Sequence, residues 1–250
     1  MAEMFHVEHF VKPHERLDDL HRNNFKIIQD PGKFCFGMDA VLLAAFAKVH
    51  RNQRHLDLCS GNGIIPIMLA ARSKGACFYG IEIQEEMVDM ATRSIALNKL
   101  QDRVKVVCGD IRGGSNLPSA HFDVVTANPP YMPVGAGQQS PSNANAIARH
   151  EIMCTLDDVA AAAARYLVSN GRFYMVHRPS RMSEIFAALD KHKLAPKTLC
   201  FVQPKFGQPP NMLLISAVKG GGAHLKVQAP LIIYDHKGEY TDEVYKIYYE

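Results

Sequence analysis

From His55 onward the chain alternates short apolar runs with longer amphipathic stretches. His55 to Cys59, Cys77 to Ile83, Val104 to Cys108, Phe122 to Ala127 and Arg172 to His177 have strand length and strong apolar character, which predicts strands buried on both faces. Between them, Ile64 to Arg72 and Gln84 to Asn98 predict helices, the second with Met87, Val88, Ala91 and Ile95 turned inward. Thr155 and Asp158 resemble a capping pair that opens an alanine-rich helix running to an Asn170-Gly171 stop. Ser183 to His192 predicts a further helix, and Pro196 to Gln203 with Asn211 to Lys219 a closing pair of strands. This alternation predicts an α/β fold with a doubly wound, mostly parallel, seven-stranded sheet covered on both faces. Ligands in such sheets bind at the carboxyl ends of the strands, so the chemistry should sit just after each one.

Upstream the pattern weakens. The stretch to about Asn24 is polar and reads as an arm or short helix, and Phe25 to Gly37 as two extended pieces around an Asp30-Pro31-Gly32 turn. Asp39 then opens a helix with Val41, Leu42, Ala45, Phe46 and Val49 on one face. The expected division is an extension over 1–50 (arm, hairpin and helix) packing on the core, a ligand-binding domain over 51–220 and a tail over 221–250.

A length of 250 residues suits one core, and 47% apolar with 21% charged residues excludes a disordered or fibrous chain. No run reaches signal-peptide or membrane-helix length, so the expectation is a cytoplasmic protein without a membrane partner. A net charge of +3 does not by itself announce a nucleic-acid binder. Positions 178 to 219, however, hold seven cations (Arg178, Arg181, Lys191, Lys193, Lys197, Lys205, Lys219) against Glu184 and Asp190. That stretch could face phosphates, or be an ordinary solvated face. Cysteines at 35, 59, 77, 108, 154 and 200 lack metal spacing and read as reduced thiols, with Cys59, Cys77 and Cys108 expected buried beside strands. His6, Glu8, His9 and His14 have no cysteine or further carboxylate to complete a site, so no metal is expected.

Four strand ends carry signatures. Asp57-Leu58-Cys59-Ser60-Gly61-Asn62-Gly63 ends the first strand and opens a helix, and its glycines allow a ligand close to the backbone at a helix amino end. A dinucleotide fingerprint would place a third glycine where Pro66 stands. Glu82 ends the second strand, where a carboxylate can accept from both hydroxyls of a ribose. Together these point to an adenosine-containing cofactor. Gly109-Asp110-Ile111 follows the third strand, where an acid can bond the amine of adenine while Ile83 or Ile111 packs on the ring. The fourth strand ends in Asn128-Pro129-Pro130-Tyr131, the most specific of the four. Two prolines remove donors, so Asn128 and the flanking carbonyls can hold an amino group by its hydrogens while Tyr131 offers a ring to a planar substrate. The ordinary alternative, a turn after a buried strand, loses ground because the other three signatures stand in order.

These residues resemble the Asn-Pro-Pro-Tyr amino-group methyltransferases, over roughly Phe34 to Lys219. Glu15-Arg16-Leu17-Asp18-Asp19-Leu20, Phe36-Gly-Met-Asp39-Ala-Val-Leu-Leu and Arg149-His150-Glu151 make the chain similar, more narrowly, to the bacterial valine tRNA adenine N6-methyltransferase family. The resemblance implies a Rossmann-like class I methyltransferase fold, S-adenosylmethionine as cofactor and N6-methylation of adenine 37, in the anticodon loop of tRNA. It implies catalytic roles for Asn128, Pro129 and Tyr131. Gly61, Gly63 and the turn opened by Asp57 would hold the methionine part of the cofactor, Glu82 the ribose, and Ile83, Asp110 and Ile111 the adenine, beside Asn128. Phe34, Phe36 and Asp39 would close over it, and Pro130 and Arg149 would meet the RNA. The long Pro129 to Cys154 loop would gate entry of a base turned out of its stack.

Other readings share parts of this pattern. A side-chain amide poses the same delocalised-nitrogen problem as adenine N6, so a protein glutamine N5-methyltransferase acting on release factors is the first rival, and a ribosomal RNA guanine N2-methyltransferase another. The former resembles a longer helical domain joined to the catalytic one, whereas about fifty residues precede the glycine turn here. A non-catalytic RNA-binding module is opposed by the intact Glu82, Asp110 and Asn128, and a nicotinamide oxidoreductase by Pro66.

Overall fold

Short apolar runs flanked by glycine-rich or polar ends do become buried strands. The computed structural model describes residues 10–33, 35–74, 76–113, 115–131 and 154–249. His6, Glu8, His9, Phe34, Arg149-His150-Glu151 and most of the Pro129 to Cys154 loop lie outside the described residues. In chain order the elements are β1 (Arg16–Asp19), β2 (Lys26–Gln29), α1 (Met38–Phe46), β3 (Arg54–Leu58), α2 (Ile64–Arg72), β4 (Cys77–Glu82), α3 (Glu85–Leu97), β5 (Val104–Cys108) and β6 (Phe122–Ala127). There follow α4 (Leu156–Tyr166), β7 (Leu167–His177), α5 (Met182–Lys191), β8 (Leu194–Lys205), β9 (Met212–Lys219), β10 (Lys226–Val227), β11 (Leu231–Tyr234) and α6 (Asp242–Tyr249).

The sheet runs β5-β4-β3-β6-β7-β9-β8, with the short β10 and β11 both added to the free side of β8. Every pairing is parallel except those of β9, which is antiparallel to β7 and to β8. Strand order reverses beside β3, because the chain goes out through β4 and β5 and returns to β6 on the other side. That reversal opens a crevice over the ends of β3 and β6.

Alternate residues feed two cores. Val124, Tyr174 and Val176 face one, covered by α1, α2 and α3, while Val125, Phe173 and Met175 face the other, under α4 and α5. In α2, Pro66 sits in the first turn, where its missing N–H costs no helix bond. The capping box opening α4 is present: Thr155 Oγ1 accepts from Asp158 N at 3.1 Å, and Thr155 N donates to Asp158 Oδ2 at 2.9 Å.

Three expectations are corrected. The polar arm contains a strand: β1 pairs antiparallel with β2, so the hairpin turns at Leu20 to Phe25, and Lys33 to Gly37 forms no strand among its described residues. Its anchor is ionic, since Arg93 on α3 donates to both oxygens of Glu15 at 2.7 Å. Burial alone would raise the Glu15 carboxyl, but Arg93 and the Lys12 backbone hold it below its ordinary value. The helix after Thr155 stops at Tyr166 rather than at Asn170-Gly171, because Leu167 already pairs with Phe122 and the left-handed Asn170 (φ 61°) lies in an irregular stretch of β7. Cys77 and Cys108 are exposed, being the first residue of β4 and the last of the edge strand β5.

The tail also has a structural place. β11 extends the sheet edge, α6 packs on α1, and the last carbonyls of α6 accept from Arg22 and Arg72.

Gly80 on β4 is fixed by contact, since a Cβ there would overlap Ser60 Oγ and Cβ and press on Val106 Cγ2 at 3.1 Å. Gly80→Ala is expected to destabilise the fold by about 1–3 kcal/mol through overpacking. Thermal melting checks this: the melting temperature should fall, and adding Ser60→Gly should recover part of the loss. An unchanged melting temperature for Gly80→Ala would remove the claimed contact.

Candidate active site

The crevice is a cavity of about 450 Å³, inside the range for small-molecule and cofactor sites. Phe36, Asp39, Gly61, Glu82, Ile83, Asp110, Ile111, Asn128, Pro129, Pro130 and Tyr131 all line it. Residues far apart in sequence therefore converge because each follows a parallel strand or lies at the opening of α1. Asp57 and Gly63 do not line the cavity: Asp57 is buried in β3 and Gly63 caps α2. No helix among the described residues is long and apolar enough to cross a membrane, and no described group of His, Cys, Asp and Glu is arranged to hold a metal.

At the glycine turn, Gly61 and Gly63 take left-handed φ values of 55° and 81°, and Gly63 caps α2. Ser60 N donates to Ile81 O at 2.9 Å, and Asn62 Nδ2 reaches Ile28 O on the hairpin at 3.1 Å. The buried Glu82 carboxylate accepts from Gly61 N at 2.8 Å and from Gln84 N at 3.0 Å. Gln84 Nε2 donates to it as well at 3.2 Å, and with that side chain turned away two of about four lone-pair sites are open toward the cavity.

Beneath the turn runs a buried chain. His55 Nε2 lies 2.8 Å from Thr126 Oγ1, which donates to Asp57 Oδ1 at 2.5 Å. With the hydroxyl proton on Asp57, the imidazole must donate from Nε2. Burial pushes the Asp57 carboxyl up to about 7, against the lowering effect of the hydrogen bond from Thr126 and with help from the Glu82 charge. Burial also holds His55 down at about 3.

Asp110 faces its neighbour as well as the cavity. Arg112 Nε and Nη2 grip both carboxylate oxygens, and this hydrogen bonding holds the Asp110 carboxyl below its usual range. At the other strand end, the Tyr131 hydroxyl lies 2.5 Å from Asp39 Oδ2 and 2.6 Å from Asn128 Oδ1. The Tyr131 ring meets His177 edge-on, with centroids 5.2 Å apart, and the Arg178 guanidinium stands over it at 5.0 Å. Burial and the Asp39 charge push the Tyr131 phenol far up, so it stays protonated.

Several of these groups escaped the strand-end signatures. His177 and Arg178 end β7 and obey the same rule as the other four, so that rule could have found them. Arg112, Gln84 and Cys154 had no such signal. The basic stretch is not a free field of charge: Arg181 pairs with Glu184, Lys191 with Asp157, and Lys219 Nζ donates to Leu167 O at 2.8 Å.

The family model of the methyltransferase small domain matches residues 24–195. The chain belongs to this family. Curated relatives include the tRNA1(Val) (adenine(37)-N6)-methyltransferase of Aeromonas salmonicida, 28% identical over 87% of this chain and 90% of that protein. One of the same name from Bacteroides fragilis is 30% identical over 77% and 80%. Among solved structures, a predicted O-methyltransferase from Agrobacterium tumefaciens superposes with a TM-score of 0.70 at 27% identity, covering 84% of this chain and 95% of that one. A geranyl diphosphate C-methyltransferase from Streptomyces coelicolor, solved with S-adenosyl-L-homocysteine, shares the fold at a TM-score of 0.53 and 13% identity, over 73% and 78%. As a member of the family, the protein is a methyltransferase that uses S-adenosylmethionine. Its cavity fits that cofactor on its own terms: a buried carboxylate for hydroxyls, a glycine backbone that admits close approach, and apolar walls from Ile83, Ile111 and Met87.

The buried chain predicts a pH profile. Asp57, raised from 3.8 to about 7, gives stability that is complete below 3.8 and lost as pH rises through 7. His55, lowered from 6.5 to about 3, and His177, lowered by burial to about 4, act the other way: their stability is complete above 6.5 and lost as pH falls through those values. Melting temperature should therefore rise from acid pH to about 6.5, fall through 7 as the last of the Asp57 contribution is lost, and then level off. Asp57→Asn should remove the fall near 7 and steepen the rise below 6.5; a fall through 7 as deep as the parent's would show that Asp57 does not titrate there.

Proposed function

We propose that this methyltransferase moves the methyl group of S-adenosylmethionine to N6 of an adenine in tRNA, namely adenine 37 of the valine tRNA anticodon loop. The observation that carries the reading is the meeting of Asn128, Pro129, Pro130 and Tyr131 with Glu82 and Gly61 on one cavity, in a chain whose curated relatives bear that name. Gly61 holds the methionine part of the cofactor, with Asp57 and Gly63 shaping the turn. Glu82 takes the ribose hydroxyls, Ile83 and Ile111 flank the adenine ring, and Asp110 accepts from its amine beside the Ile111 backbone. Phe36 and Asp39 form the lip, while Pro130 and Arg149 contact the RNA.

The cofactor, when bound, supplies a methyl group on a sulfonium centre. The chain's own task is to present a weakly nucleophilic nitrogen in line, because the lone pair of adenine N6 is delocalised into its ring. Asn128 Oδ1 and the carbonyl before Pro130 accept the two amine hydrogens and favour a more pyramidal nitrogen. The single hydroxyl proton of Tyr131 serves one of its two neighbours. Donation to Asp39 is charge-assisted and stronger, and the Asn128 amide can then turn to offer Nδ2 to the phenolic oxygen, releasing Oδ1 to the substrate. Asp39 thereby orients the grip without touching the substrate. Neither a strong base nor a covalent enzyme intermediate is required, since the proton leaves once nitrogen is cationic. Arg178, on the cavity wall, stands where it can meet the turned-out nucleotide.

The test is methyl transfer from labelled S-adenosylmethionine to unmodified tRNA and, separately, to release factors, with nucleoside analysis of the product. N6-methyladenosine at position 37 of valine tRNA is the expected outcome; label confined to release factor would replace the reading by glutamine methylation. Asn128→Ala should abolish transfer while calorimetric cofactor affinity stays near the parent's, and loss of both together would make Asn128 structural. Glu82→Gln should weaken cofactor binding by about tenfold to a hundredfold, the size of a hydrogen bond to a charged group, with an unchanged affinity assigning the ribose contact elsewhere.

A further inference from the structure

The first residue of the glycine turn is Cys59, at a left-handed φ of 58° that side chains other than glycine's seldom adopt. Its Sγ stands 3.9 Å from Sγ of Cys154, 95 positions away, and both cysteines line the cofactor cavity. Cys154 immediately precedes the capping box of α4, and its thiol also faces Thr155 O at 3.7 Å on an exposed side. Two thiols from opposite walls thus meet across a site that neither the proposed methyl transfer nor the fold requires them to share.

We propose that Cys59 and Cys154 are a reversible oxidation site in which a hydroperoxide converts the pair to a disulfide and closes the cavity to S-adenosylmethionine. The chemistry balances with hydrogen peroxide as oxidant. The Cys154 thiol, whose contact with Thr155 O lies on an exposed side, is oxidised to a sulfenic acid as the O–O bond breaks and one water leaves. The Cys59 sulfur then attacks that sulfur, the S–S bond forms, and the S–O bond breaks to release a second water carrying the Cys59 proton. Two thiols lose two electrons in all, and peroxide gains them. A disulfide needs sulfurs about 2.05 Å apart, so the pair must approach by about 2 Å, a movement within reach of side-chain rotation with a small shift of the α4 entry. The hydrogen bond with Cys154 and burial push the Cys59 thiol well up, which fits the role of the second, resolving sulfur rather than the first to react. Closure joins the amino end of α4 to the glycine turn and takes space from the cavity that both cysteines line.

The inference rests on this cavity being the cofactor site, and the experiment separates the two. Full-length reduced protein is assayed for S-adenosylmethionine affinity by calorimetry, treated with hydrogen peroxide, and examined by intact mass and peptide mapping, then returned to dithiothreitol. The expected result is the loss of two hydrogen masses, a peptide linking 59 to 154, an affinity at least about tenfold weaker, and recovery on reduction. Cys154→Ser should yield no such link, and its own affinity should be the same before and after peroxide. Oxygen addition without the cross-link, or the cross-link with undiminished affinity, would overturn the proposal. Failure of the reduced protein to bind S-adenosylmethionine would instead overturn the cofactor assignment.

Discussion

The N–H of Gly61 donating to the buried carboxylate of Glu82 is the bond on which the site depends. It joins the end of β3 to the end of β4 just where the strand order turns, and Gly109 N, after β5, extends the link by donating to Glu82 O at 2.9 Å. Three strand ends are thereby held at one level, and everything expected to touch the cofactor is set from them. A carboxylate buried without such donors would be expensive, and here the same backbone that the acid positions supplies them.

Beneath this layer the fold carries a second constraint. Asp57, Thr126 and His55 cross from β3 to β6 fully buried, with the aspartate pushed up to about 7 and the histidine down to about 3. Polar groups at that depth serve to fix strand register rather than to bind ligand: Asp57 sits opposite Thr126, and His55 opposite Val124. The network is only partly satisfied, since His55 Nδ1 and Asp57 Oδ2 have no hydrogen-bond partner among the described residues.

Much of this was legible in the residues because it is local. The limits of α2, β5 and β6 follow from apolar run length and the punctuation around it, and four strand-end signatures named most of the cavity wall. What stayed hidden depends on partners distant in sequence. The polar Arg16–Asp19 strand is stabilised by pairing with β2 and by Glu15 gripping Arg93, neither of which leaves a periodic mark. The expected burial of Cys77 and Cys108 failed because an apolar run does not reveal which of its residues lies at a strand's open end. Arg178 over Tyr131 and Cys154 beside Cys59 are likewise products of topology, since each follows or precedes a different element from its partner.

The same long-range contacts make the N-terminal extension part of the site rather than an appendage to it. Gln29 Oε1 accepts from Phe36 N at 2.9 Å and so sets the cavity lip, while Asn62 in the glycine turn holds Ile28 O on the same strand. The hairpin is in turn fixed to α3 by Glu15 and Arg93, and Ile28 packs on Met87 and Met90 of that helix. A displacement of β2 therefore cannot leave the cavity unchanged: it must either pull the lip through Gln29 or tilt the turn through Asn62. The Phe36 lip and the glycine turn of the cavity are thus braced by one short strand.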